Sequence, residues 1–211
     1  MIFESGMEKL LKELDKQLEG ELYDDSLMRH LYATDASVYH ELPLAVAVPK
    51  SKEDIRKIIR FAHDRHISLI PRAAGTSLAG QCVGRGIVVY ISKYFNHILE
   101  INPTEQWVRL EPGVIRDELN HHLQPYGLFF GPNTSTANRC MIGGMVGNNS
   151  CGSSSIVYGS TRDHVLELTA FLSDGSEVIF KALNPEEFEA KLKGNNLENK
   201  IYQHLYKSLQ P

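Results

Sequence analysis

No apolar run in this sequence approaches the roughly 20 residues that a helix needs to cross a bilayer. The longest, LPLAVAVP and GIVVYIS, have the length of buried strands. Cysteine is scarce: Cys82, Cys140 and Cys151 lack CxxC spacing and leave one over from any pairing. That argues against a disulfide framework and a zinc site, and the nine histidines add no HExxH or other ligand spacing. No metal site is expected. A basic excess is missing as well. The formal net charge is −4, and Lys and Arg form no stripe, so there is no electrostatic footprint for nucleic acid. The N-terminal MIFESGMEKLLKELDKQLEG alternates charge with leucine and has no secretory h-region, which makes the cytoplasm the expected compartment. Two familiar nucleotide fingerprints are also missing: there is no GxxxxGK[ST], and no GxGxxG joins a first strand to a helix.

What is present suits a packed globular chain. It has 211 residues, 42% hydrophobic and 23% charged, enough for one large domain or two small ones. Leu10, Leu11, Leu14 and Leu18 share a helical face that ends at Gly20, and DSLMRHLYATD reads as a second short helix. Val46 to Val48 is a strand. Ser51 is a candidate N-cap with Glu53 and Asp54 in the first turn, and Ile55, Ile58, Ile59 and Ala62 form the apolar stripe that follows. ISLIP is the next strand, so this is a strand–helix–strand unit of the kind that links parallel strands by a right-handed crossover.

GIVVYIS gives a third strand, HILEINPTEQWVRLEPG a hairpin, and IRDELNHHLQPYG a helix stopped by Gly127. HVLELTAFLSDGSEVIFK is a hairpin turning at Asp174-Gly175, and the chain after Asn184 is charged and helical. The expected class is α+β, a small α/β subdomain followed by a strand-rich one. The expected organisation is a helical lead-in over residues 1–40, a domain over 41–180 split near 93, and a charged helical tail over 181–211.

Two glycine-rich segments stand out. PRAAGTSLAGQ, residues 71–81, leaves the ISLIP strand and carries no charge after Arg72. Such a stretch builds little core, so its backbone is the useful part. Successive main-chain N–H groups in a tight turn make a concave nest for an anion, Gly75 can take positive φ, and small neighbours let a ligand approach. Thr76 and Ser77 add hydroxyls, and Arg72 can either pair with the anion or brace the loop. A diphosphate fits these requirements; so does an ordinary surface turn with a structural arginine.

The second segment, GPNTSTANRCMIGGMVGNNSCGSSSIVYGSTRDHV, repeats glycine at 131, 143, 144, 147, 152 and 159 among Asn, Ser and Thr. That density is costly in entropy unless a long ligand with many acceptors organises it. The sequons at Asn133 and Asn148 fall inside it, where burial or ligand contact is the better reading than glycosylation. Cys151 and the serines 153–155 raise a hydrolase reading, but no paired base or electropositive setting is visible beside them.

The order of strand, PRAAGTSLAGQ, strand, then GPNTSTANRCMIGGMVGNNSCG, YGSTRDHV and FLSDG resembles the FAD-binding domain of the vanillyl-alcohol oxidase/p-cresol methylhydroxylase superfamily. Within that superfamily the sequence is similar to FAD-linked dehydrogenases of D-2-hydroxy acids: the D-lactate, glycolate and D-2-hydroxyglutarate group. YATDASVYHELPLAVAVPKSKEDI resembles their opening segment, in particular that of long bacterial forms fused to an iron–sulfur half. The resemblance covers most of residues 20–180.

It implies a PCMH-type FAD-binding fold in an enzyme that transfers hydride from a small 2-hydroxy acid to the flavin, with an iron–sulfur domain or subunit as electron acceptor. It also implies a diphosphate loop over Arg72, Ala73, Ala74, Gly75, Thr76 and Ser77, closed by Gly80 and Gln81. Asn133, Thr134, Ser135, Gly143 and Gly144 would flank the flavin and its ribityl-phosphate arm, and Asn148, Asn149, Ser150 and Gly152 would continue that wall. Part of the superfamily carries a flavin-linked histidine after the loop glycine; Thr76 stands there, so non-covalent FAD is expected. The family's later GSEGTLGI-like turn and its substrate region do not occur before Pro211, and no catalytic base is placed by spacing. The chain is therefore expected to be an N-terminal part of a larger enzyme. The alternatives are a nucleotide-binding module without redox chemistry and a Ser/Cys hydrolase.

Overall fold

A computed structural model describes residues 2–209, with side chains from residue 6 onward. It divides into two compact units, Met1–His164 and Val165–Pro211.

The first unit opens with helix α1 (Ile2–Asp15), strand β1 (Glu21–Tyr23) and helix α2 (Ser26–Leu31), followed by β2 (Ala45–Val48), α3 (Lys52–Asp64), β3 (Leu69–Arg72) and β4 (Ile87–Tyr90). Ser51 caps α3 as expected, its hydroxyl accepting from Asp54 N. The first helix ends at Asp15, short of Gly20, which instead lies against the Val48 carbonyl where a side chain would not fit. The sheet order is β1-β2-β4-β3, with β2 and β3 both parallel to β4 and β1 antiparallel to β2. The two strands of the strand–helix–strand unit are therefore not neighbours. β4 inserts between them, which leaves β3 at the edge, a position that tolerates Pro71.

Alternation along the strands sends residues to two cores. Ala45, Ala47, Ile87 and Val89 pack with Leu11 and Leu14 of α1 and with Ile58 and Phe61 of α3. Val46, Ile70 and Val88 face the other way, against Cys82, Tyr23, Tyr32 and Tyr90. Both faces are covered, which explains the unbroken burial of AVAV in β2. Burying a side chain such as Ile58 contributes about 1.5–3 kcal/mol. Asp54, fully buried, ties the layer together by accepting from Glu19 N, Gly20 N and Lys50 N, each at 2.9 Å.

After β4 come the hairpin β5 (Ile98–Asn102) and β6 (Trp107–Leu110), helix α4 (Arg116–Leu123) with a 3-10 turn halted at Gly127, and two short helices, α5 (Ile142–Asn148) and α6 (Ser155–Tyr158). The sheet residues Ile98, Ile101, Val108 and Leu110 pack on Val114, Leu119, Leu123, Cys140, Ile142 and Met145. The second unit is the hairpin β7 (Glu167–Phe171) and β8 (Glu177–Lys181), turning at Asp174-Gly175, with helices α7 (Pro185–Lys193) and α8 (Leu197–Leu209). Asn184 and Glu187 form a reciprocal capping box on α7, and Tyr202 of α8 meets Phe180 and Phe188.

Candidate functional site

The loop after β3 is shaped from behind. Arg72, the last residue of the strand, turns its guanidinium to the carbonyls of Thr34 at 2.7 Å and Tyr32 at 3.4 Å, and lies over the Tyr32 ring at 5.1 Å. Of the two roles open to it, the structure shows bracing. Gly75 has φ +71°, and a Cβ there would sit 2.5 Å from the Arg72 guanidinium. The φ favours glycine, and a side chain there would also push the Arg72 guanidinium off its carbonyls. Ala36 N donates to Gly75 O at 3.2 Å, so the stretch between α2 and β2 is the platform of the loop. Gly80 rests on the Tyr39 ring.

Ser77 closes the turn. Its Oγ accepts from Ala79 N at 3.1 Å and Gln81 N at 3.4 Å, and donates to Gln81 Oε1 at 2.7 Å. Among the described residues, nothing accepts from the main-chain N–H groups of Ala73, Ala74, Gly75, Thr76 or Ser77. Five successive main-chain donors on a braced loop are thus left without an acceptor in the chain.

The second segment is organised differently. Arg116 reaches the carbonyls of Phe130 and Pro132, each at 3.2 Å, and Asn120 brackets Phe130 by accepting its N–H and donating to its carbonyl. These hold the approach to Asn133, Thr134 and Ser135. Gly152 packs against the Asn133 carbonyl and Gly143 against Pro112, with Gly143 N donating to Pro112 O at 2.8 Å. Asn149 ends α5 in a left-handed conformation, and its side chain accepts from Arg162 N at 2.9 Å. Ser150 O accepts from both N and Oγ1 of Thr161, which is fully buried.

The two segments meet at two points. A Cβ on Gly144 would lie 3.5 Å from that of Ala73, an ordinary contact distance. Gln81 Nε2 donates to Asn148 Oδ1 at 2.8 Å, and Asn148 Nδ2 donates to Ser150 Oγ at 3.1 Å. Thus residues 72–77, 80, 81, 144, 148 and 150 form one connected set. Asn133 to Ser135 and Gly152 form another, and no hydrogen bond among the described residues joins that set to the first loop.

Residues 43–181 match the family described as an FAD binding domain. The chain belongs to that family. The D-2-hydroxyglutarate dehydrogenase of Escherichia coli (strain K12) is 42% identical over 200 residues, covering 93% of this chain and 20% of that protein. The glycolate oxidase subunit GlcD of Bacillus subtilis (strain 168) is 34% identical over 171 residues, covering 79% of this chain and 36% of that protein. The chain thus spans about a fifth to a third of the length of these relatives. In fold it is similar to p-cresol methylhydroxylase, with a TM-score of 0.70 at 14% identity over 82% of this chain and 35% of that one. The family and the α+β, PCMH-type fold expected from the motifs are both borne out.

For an FAD-binding domain, sequence reading missed the back of the loop. Thr34 and Ala36 act through a main-chain carbonyl and an N–H, which leave no side-chain signature, and Tyr32 adds its ring to its carbonyl from 40 positions away in the chain. Burial raises the Tyr32 phenol above its usual range, aided by Tyr90 and opposed by Arg72. Burial also raises the Cys82 thiol, which donates to Asp35 Oδ2 at 3.5 Å. On Asp35 burial pushes upward too, but bonds from Ser37 and Cys82 outweigh it and hold the carboxyl below its usual range.

The hydrolase reading gains nothing. Ser154 Oγ donates to Gly131 O and Ser155 Oγ accepts from Gly152 N, so both hydroxyls serve the fold. No group of three or more His, Cys, Asp or Glu among the described residues could hold a metal, and no described helix is long and apolar enough to cross a membrane.

Proposed function

We propose that residues 72–81 hold the diphosphate of non-covalently bound FAD, in an enzyme that oxidises a D-2-hydroxy acid by hydride transfer to the flavin. The carrying observation is the run of unclaimed N–H groups from Ala73 to Ser77. Diphosphate oxygens only accept, so preformed donors match them, and the braced loop need not rearrange to do so.

Gly144, Asn148 and Ser150 belong to the same wall. Asn133, Thr134, Ser135, Gly143, Asn149 and Gly152 shape its continuation; the Gly143 N–H, already bonded to Pro112 O, sets its form rather than donates, while Asn149 uses its Oδ1 to accept from Arg162 N. When bound, FAD supplies the hydride acceptor, while these residues hold it, orient it and keep water from its phosphates. Thr76 stands where part of the superfamily has a flavin-linked histidine, hence the non-covalent assignment. The names of the relatives favour D-2-hydroxyglutarate or glycolate as substrate, the D-2-hydroxy-acid resemblance adds D-lactate, and we assign an iron–sulfur domain or subunit as electron acceptor. The free Cys82, Cys140 and Cys151 suit a reducing cytoplasm.

FAD titration followed by flavin fluorescence should show saturable binding, and acid precipitation should leave all yellow chromophore in the supernatant. Flavin in the pellet would overturn the non-covalent assignment, and no binding at saturating FAD would overturn the loop assignment. These 211 residues alone should not reduce a dye with D-lactate, glycolate or D-2-hydroxyglutarate, because they span only about a fifth to a third of the relatives' length and we assign no base among the described residues. Turnover would contradict that division of labour.

A further inference from the structure

The contact between Gln81 and Asn148 joins residues 67 positions apart in the chain, and its direction is fixed by its neighbours. Ser77 Oγ gives its hydrogen to Gln81 Oε1, so the amide of Gln81 must donate at its other end, to Asn148 Oδ1. The Asn148 amide then donates to Ser150 Oγ. Ser150 is anchored in turn: its N–H donates to Met145 O at 2.9 Å and its carbonyl holds Thr161. Met145 and Thr161 are both buried.

The relay therefore runs from the half-buried 72–81 loop into the core beneath α5. At its near end the Ser77 hydroxyl is saturated, with its hydrogen and two acceptor positions all used inside the loop. It has no hydrogen left to offer an anion.

We infer that Gln81 and Asn148 are positioning residues that set the spacing of the two glycine-rich segments, with Ser77 shaping the diphosphate loop rather than donating to the ligand. The purpose of the relay rests on the function proposed above; its existence does not. Side-chain amides suit this task because each both donates and accepts, so one residue passes on the direction of the chain. Each exposed bond is weak. Three in series, ended on buried groups, hold a loop that has little else on its ligand side.

The test is residue-resolved amide exchange in the 211-residue chain, read at Ala79, whose N–H rests on Ser77 Oγ. Asn148→Leu should raise exchange at Ala79 about twofold to tenfold, the range that one lost hydrogen bond implies. Asn148→Asp should preserve protection, because its carboxylate still accepts from Gln81 and Ser150 can turn its hydroxyl to donate. The Gln81→Leu/Asn148→Leu double variant should exchange no faster than Gln81→Leu alone. Unchanged exchange in Asn148→Leu, or additive effects in the double variant, would overturn the inference.

FAD titration of the same variants separates the two proposals. Asn148→Asp should weaken FAD binding, through charge beside the diphosphate, while leaving Ala79 protected. If exchange responds as expected and no variant changes FAD binding, the relay stands and the diphosphate assignment falls.

Discussion

The two glycine-rich segments look alike in sequence and use glycine for opposite ends. In the 71–81 loop, glycine keeps the backbone open: Gly75 takes φ +71°, and five successive N–H groups stay without an acceptor among the described residues. In the 131–159 segment, glycine lets the chain close on itself. Gly131 lies under Tyr158, Gly143 under Pro112 and Gly152 against the Asn133 carbonyl, with none of these three at positive φ. Low side-chain volume therefore leaves main-chain donors open in one region and makes a packing contact in the other. What separates them is where the main-chain donors go.

The sharpest way to break this contrast is Gly152→Ala. A methyl group there meets backbone that cannot step aside, and the expected loss is about 3 kcal/mol or more. Urea unfolding should show a lower midpoint at unchanged slope; a stable variant would mean that the second segment is as open as the first.

Next in size is Asp54→Asn, which weakens the layer carrying the first loop. On Asp54 burial pushes the carboxyl upward, but the main-chain bonds from Glu19, Lys50, Gly20 and Ser51 outweigh it and hold it below its usual 3.8. Its stabilisation is complete above that value and is lost as pH falls through the lower folded value. The variant should lose about 2–3 kcal/mol near neutral pH and part of the acid slope of stability, both readable from urea midpoints against pH.

Gly75→Val comes third, costing about 1–3 kcal/mol of stability because a β-branched residue cannot hold that φ without strain. Its effect on ligand should exceed its effect on folding: FAD uptake, read by absorbance after desalting, should vanish. Retained uptake would make the loop an ordinary turn.

Ser77→Ala is the smallest, at about 0.5–1.5 kcal/mol. It should weaken FAD only as far as Ala79 exchange shows the loop has loosened. A larger loss of affinity would mean that the hydroxyl touches the ligand directly.

Features with a local cause were legible in the sequence. The Ser51 cap, the Gly127 stop and the Asp174-Gly175 turn are each written in two or three neighbouring residues, and all three occur where expected. Features with a remote cause were not. IGGMVGN has poor helical propensity, yet α5 forms because Ile142 and Met145 are buried and Gly143 is held at Pro112. The place of β4 between β2 and β3 depends on pairing across the whole layer. The loop itself was found from composition. Its platform was not, because Tyr32 and Thr34 contribute carbonyls, which every residue has, and the Tyr32 ring meets Arg72 from 40 positions away.

The unclaimed donors of the loop also bear on the heat of binding. If the five unclaimed N–H groups bond to water in the free chain, a diphosphate bound at the proposed site would exchange one set of hydrogen bonds for another of similar strength. Little apolar surface is covered in that exchange, so the phosphate side should add almost nothing to the heat-capacity change of binding. A large negative heat-capacity change on FAD binding would have to come from the ring systems. Calorimetry with inorganic pyrophosphate, a diphosphate that carries neither ring system, should isolate the quiet end of the ligand.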